Sequence, residues 1–147
     1  MDKDGMNSRK DVQELKKQEG RMVTFPQDSI ILKEGEVDLN MYKILKGHVE
    51  LYTGYGTSQE VFLGIIGPQS CFGEFGLLLH QQAIYTVIAY SDVLALKISE
   101  GNIGDFVQEN HKNIIDIMRN MAKTMSIMQL QINLLAMELE ELGIYNH

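Results

Sequence analysis

With 147 residues and 44% hydrophobic content, the chain is long enough for one domain with its own core and too apolar to stay disordered. Its formal charge of −7 excludes a broad electrostatic grip on nucleic acid, and its apolar runs are too short to span a bilayer. The single cysteine, Cys71, rules out a disulfide framework, and with no charged-then-apolar leader at the start a cytoplasmic protein is expected.

Residues 1–21 are polar and charged, and are expected to form an arm or a short helix capped by Ser8, in which Val12 and Leu15 bury little. From Met22 to Ile98, short apolar runs alternate with turn residues, which predicts an antiparallel β barrel or sandwich. The expected strands are 22–25, 29–33, 40–46, 48–53, 59–66, 84–90 and 93–98. Reversals fall at Pro26-Gln27-Asp28, Glu34-Gly35-Glu36, Lys46-Gly47, Gly54-Tyr55-Gly56 and Gly67-Pro68. In the fifth run Val61, Leu63 and Ile65 should share one face.

The stretch from Cys71 to Ala89 reads as strand, short helix, polar loop and strand. Gly73 can adopt a left-handed conformation, so a helical turn starting just after it would aim free amides at a ligand. Glu74 adds a fixed acceptor beside those donors, or caps the turn itself. Strand alternation puts Ala83, Tyr85, Val87 and Ala89 on one face.

After Ile98 the period lengthens to three or four. Ser99 is expected to cap a short helix over 101–109, and a long helix should run from Asn110 or His111 to Leu142. Ile114, Met118, Met121, Met125, Met128, Ile132, Leu135, Leu139 and Leu142 fall at alternating steps of four and three, a heptad seam with no polar member. At ~1.5 Å per residue this helix would be about 48 Å long, more than the barrel can cover. Ile127, Leu130, Leu134 and Met137 form a second apolar set. A helix apolar on two faces needs cover on both, which predicts a parallel homodimer.

The sequence FGEFGLL, followed by Thr86-Val87-Ile88-Ala89, resembles the phosphate-binding cassette of cyclic-nucleotide-binding domains, F-G-E-x-A-L and then R-x-A-T-V-x-A. Glu34-Gly35-Glu36 and MYKILKGHVEL fit the same family, over about residues 22–142, with Asp28 and Gln69 where turn glycines are usual. The resemblance implies a mainly β fold with C-terminal helices. Its core would be an antiparallel jelly-roll (a cupin-like double-stranded β-helix) over 22–98, followed by a helical part over 99–147 with a long dimerisation helix. It also implies a ligand site at Gly73, Glu74, Phe75, Gly76, Leu77, Ala83, Ile84 and Tyr85. The base would lie near Met128 on the long helix, where Met128-Gln129 lacks the usual hydroxyl. In the family Glu holds the ribose and an Arg holds the cyclic phosphate; here Ala83 stands at the Arg position.

No Lys or Arg lies between Lys46 and Lys97, so nothing nearby in sequence replaces that charge. The expectation is a regulatory or scaffolding homodimer, not an enzyme, with weak or no cyclic AMP binding and an effector protein as its further partner. A sensor for a cyclic nucleotide or another small molecule is the alternative, with a haem-type site at His80 as a minor branch. A cupin-type enzyme needs clustered metal ligands, whereas His48, His80, His111 and His147 are scattered, so no metal is expected. The chain stops at His147, about five residues past the expected helix, so no DNA-reading element and no membrane segment are expected.

Overall fold

The alternating stretch from Met22 to Ile98 forms eight strands: β1 (Met22–Phe25), β2 (Ile30–Leu32), β3 (Met41–Lys46), β4 (Val49–Thr53), β5 (Val61–Ile66), β6 (Cys71–Phe72), β7 (Thr86–Ala89) and β8 (Val93–Ile98). The computed structural model describes residues 21–143, the side chains of residues 128 and 131 excepted. The arm expected over 1–21, with its Ser8 cap, lies outside the described residues except for Arg21. The strands pair antiparallel into two four-stranded sheets, ordered β1-β8-β3-β6 and β2-β7-β4-β5. Three helices interrupt or follow them: α1 (Glu74–Leu79), α2 (Ile103–Glu109) and α3 (Ile114–Glu141).

Inward residues of both sheets make the main core, in which Ile44, Val49, Phe72, Val87, Ala89 and Ala95 are fully enclosed. Burying a Val, Ile or Phe side chain contributes about 1.5–3 kcal/mol, so this layer holds the two sheets face to face. A second core lies on the outer face of the first sheet. There Met41, Cys71, Leu77, Leu96 and Ile98 meet Phe106 of α2 and Ile117 of α3. The helices therefore dock through one apolar patch, against the strand that leads into Gly73.

Three local expectations are corrected. In β5 the register shifts by one residue, Leu51 pairing with Gly64 but Tyr52 with Phe62. This bulge changes the phase of the strand. Val61 and Leu63 line one cleft, while Ile65 pairs with Glu50 and is 48% exposed, so the three do not share a face. Ser99 does not cap α2; its backbone N–H donates to Asn102 Oδ1 at 2.8 Å, and Asn102 holds the cap position. The long helix starts at Ile114, not at Asn110, because Asn110 ends the previous helix. Its Nδ2 donates to the Phe106 carbonyl at 2.8 Å, and its Oδ1 accepts from the buried Lys43 ammonium at 2.7 Å.

Asp28 and Gln69, which replace turn glycines, both hold left-handed backbone, at φ 70° and 74°. Asp tolerates that region better than Gln, which has no short side chain to bond its own backbone. Gln69→Gly should therefore raise stability by about 0.5–1 kcal/mol, since relief of strain is partly offset by a more flexible unfolded chain. In urea unfolding the midpoint should rise with the slope unchanged; an unmoved or lower midpoint would show that Gln69 is not strained.

Candidate functional site

The cassette begins where β6 delivers Gly73 behind the core. Gly73 takes φ 84°, and an added Cβ would lie 2.9 Å from the Asn40 carbonyl oxygen. Gly76, one turn later, is pressed harder: a Cβ there would meet the Asp38 carbonyl oxygen at 1.8 Å. Both glycines are needed because the segment between β2 and β3 lies directly on α1. The helix is only six residues long and ends at His80 in left-handed backbone, φ 55°.

Tyr85 occupies the centre of this arrangement. Its ring is 2% exposed, and its hydroxyl accepts from the Gly73 N–H at 3.0 Å while donating to Glu74 Oε2 at 3.3 Å. The Glu74 side chain is itself buried at 4% exposure. Burial raises the Glu74 carboxyl above the ordinary carboxylate range, against the opposing pull of its own backbone amide and of the Tyr85 hydroxyl. Burial likewise raises the Tyr85 phenol, and the neighbouring Glu74 charge adds to that. The phenol thus stays protonated and donates.

Gly73, Phe75, Gly76, Ala83, Ile84 and Tyr85 line one cavity together with Leu32 and Asp38. Its volume is about 10 Å³, close to what one water molecule requires. Leu77 belongs elsewhere, being 3% exposed in the core beneath the helices. Ala83 sits before β7, exchanging backbone hydrogen bonds with Gly35 and Glu36 at 2.8 and 2.9 Å. Tyr85, Val87 and Ala89 all face the main core, and Ala83 and Ile84 pack against it half-buried.

Among the described residues, no cation lines the cavity. The buried Lys43 faces the helices from the opposite side of β3, where burial lowers its ammonium below the usual lysine value. Asp38, which sequence reasoning missed, brings a second carboxylate: Oδ2 accepts from the Tyr42 hydroxyl at 2.9 Å. Nothing in its own neighbourhood marked it, since it reaches the site only because its carbonyl rests on Gly76. Cys71 is buried and its thiol is pushed up to about 12 by desolvation, which leaves it an apolar wall residue. His80 is on the surface, paired with Glu100. Among the described residues no group of three or more His, Cys, Asp or Glu could hold a metal ion.

Along α3, Ile117 and Thr124 face the barrel, while Met118, Met125, Ile132, Leu135 and Leu142 of the seam are exposed. Ile114, Met121 and Leu139 are half-buried, and the Met128 side chain lies outside what the structure describes. Ile127, Leu130, Leu134 and Met137 are also exposed. Between β5 and the distal half of α3 lies an open cleft of about 490 Å³, lined by Thr53, Val61, Leu63, Ile84, Ile132, Leu134, Leu135 and Glu138. No helix among the described residues is long and apolar enough to cross a membrane.

Two packed antiparallel sheets with a Gly-Glu turn against a Thr-Val-x-Ala strand define a nucleotide-cassette barrel. The model for the cyclic nucleotide-binding domain matches residues 22–110, and the chain belongs to that family. No curated protein matches the sequence. Among solved structures, the Thermus thermophilus catabolite activator protein is similar at 23% identity and a TM-score of 0.61, over 78% of this chain and 54% of that one. The chain therefore spans about half of that relative. The haem domain of CooA from Carboxydothermus hydrogenoformans aligns at 15% identity and a TM-score of 0.66, over 88% of this chain and 96% of that domain. The EAL enzyme Bd1971 in its cAMP-bound form aligns at 26% identity and a TM-score of 0.53, over 82% of this chain and 31% of the enzyme.

Because the Glu74 carboxyl is raised by burial, the folded chain binds that proton more readily than the unfolded one. The stability this lends is fully present below the unfolded value and is lost as pH rises through the folded one. Glu74→Gln, which cannot ionise, should gain stability relative to the native chain as pH rises from about 4 to about 8. Urea unfolding across that range checks it; a constant difference would mean that Glu74 does not titrate abnormally.

Proposed function

We propose that this chain is a non-enzymatic regulatory domain that keeps the cyclic-nucleotide barrel but holds its phosphate cradle closed, acting as a homodimer on an effector protein. The observation that carries this reading is the Tyr85 hydroxyl, which takes the Gly73 amide and the Glu74 carboxyl for itself and leaves about 10 Å³ of space. Ala83 at the position of the family's arginine supports it further, because a phosphodiester in the cavity would meet the Asp38 carboxylate and, among the described residues, no cation. Hydrogen bonds to charged groups contribute roughly 1.5–3 kcal/mol each, so losing a bidentate contact weakens binding about a hundredfold or more. The strand orders β1-β8-β3-β6 and β2-β7-β4-β5 support the reading of a jelly-roll, a double-stranded β-helix.

The dimer rests on α3. Exposed Met118, Met125, Ile132 and Leu135 continue one heptad seam, and an apolar seam of this length is stable only when covered. We set the domain limits at 22–98 and 99–147, where the sequence changes from strand to helical spacing. A second reading, a sensor for a small uncharged molecule, is favoured by the cleft of about 490 Å³ beside Ile132, which falls in the size range of ligand sites.

Calorimetric titration with cyclic AMP and cyclic GMP should give no heat at micromolar ligand; micromolar binding overturns the closed-cradle reading. Ala83→Arg with Tyr85→Ala supplies the cation and the space, and should tighten cyclic-nucleotide binding by roughly a hundredfold. No gain in that variant would place the obstacle elsewhere. Met125→Glu with Ile132→Glu should halve the mass in light scattering, and an unchanged mass would remove the helix from the interface.

A further inference from the structure

The β4–β5 hairpin carries a surface that neither the cradle nor the seam uses. The bulge in β5 turns Phe62 and Ile65 outward, opposite Tyr52 and Glu50. Phe62 is 50% exposed and Ile65 48%, with Tyr55 at the turn 42% exposed. The rings form a continuous ledge: Tyr52 lies 5.4 Å from Phe62 and 5.1 Å from Tyr55, centroid to centroid, both tilted. Two carboxylates border it. Glu50 accepts from the Tyr52 hydroxyl, and Glu60 is tied to the turn by the Gly56 amide at 3.0 Å.

Three features make this more than scattered surface apolarity. β5 is an edge strand of its sheet, and its sequence Val61-Phe62-Leu63-Gly64-Ile65-Ile66 has none of the charges or prolines that normally blunt an edge. Aromatic rings at such exposure are what interfaces enrich. No Lys or Arg lies between Lys46 and Lys97, so the hairpin offers carboxylates and ring faces with no cation of its own.

Charge decides what fits. A second copy docking through the same face would set Glu50 and Glu60 against their own images, since a two-fold contact pairs a patch with itself. A phosphate backbone or an anionic membrane would be repelled in the same way. A guanidinium satisfies both parts of the surface: it stacks flat on aromatic rings and binds carboxylates in a fork. We infer that the outer face of the β4–β5 hairpin is a docking surface for an arginine-bearing segment of a protein partner.

The test uses the full chain and a fluorescein-labelled peptide of alternating Arg and Val, with Lys and Glu versions for comparison, read by fluorescence anisotropy. The Arg peptide should bind, with the Lys peptide roughly tenfold weaker and the Glu peptide silent. Tyr52→Ser with Phe62→Ser should weaken binding about tenfold or more. Glu50→Gln with Glu60→Gln, which leaves the rings in place, should weaken it similarly and flatten its salt dependence. Glu140→Gln at the far end of α3 should change nothing. The inference is overturned by no binding of the Arg peptide at millimolar concentration, by equal binding of the Glu peptide, or by affinity untouched in both hairpin variants. Loss of half the mass in light scattering on Tyr52→Ser with Phe62→Ser would assign the face to a second copy and overturn it too.

Discussion

The phenol of Tyr85, suspended between the Gly73 amide and the Glu74 carboxyl, is the contact on which the barrel's interior depends. It partners the buried Gly73 amide and shares the Glu74 carboxyl with that residue's own backbone amide, and a buried polar group left unsatisfied costs about 1–3 kcal/mol. It does so from within the chain. The same bond ties α1 to the start of β7, and the loop bearing Asp38 closes the other side by resting on Gly76. Tyr85 is thereby part of the buried core.

Behind the first sheet a different polar contact sets the helices. The Lys43 ammonium reaches Asn110, whose amide in turn holds the Phe106 carbonyl, and the chain breaks there before α3 begins. Arg21 on the neighbouring edge pairs with Glu109 at 3.2 Å. These contacts lie next to Cys71, at the head of the cassette strand, so the barrel and the helix junction share one buried layer. The orientation of α3 is thereby coupled by packing to the segment that leads into Gly73.

Two stretches of exposed apolar surface lie outside the barrel core. One is the length of α3, where the first turns dock on Ile117 and Thr124 and the rest projects. The other is the β4–β5 hairpin, where Tyr52, Tyr55 and Phe62 gather beside acidic residues. The first is a regular heptad seam; the second is an irregular cluster of rings and carboxylates.

Much of this was legible in residue order alone. Alternating apolar runs located the strands of both sheets, and the steps of four and three along Ile114 to Leu142 marked the long helix. Those signals are local: each depends on neighbours within a turn or a strand. What only the folded chain decided depends on residues far apart in sequence. The phase of β5 was lost at its bulge, because a pattern of period two cannot announce an extra residue. Asp38 entered the site through a carbonyl-to-glycine contact that leaves no trace in its own side-chain type. Tyr85 could be placed on the inner face, yet that its hydroxyl would reach Gly73 and Glu74 followed from how β6 and β7 approach each other, a distance that composition and period do not contain.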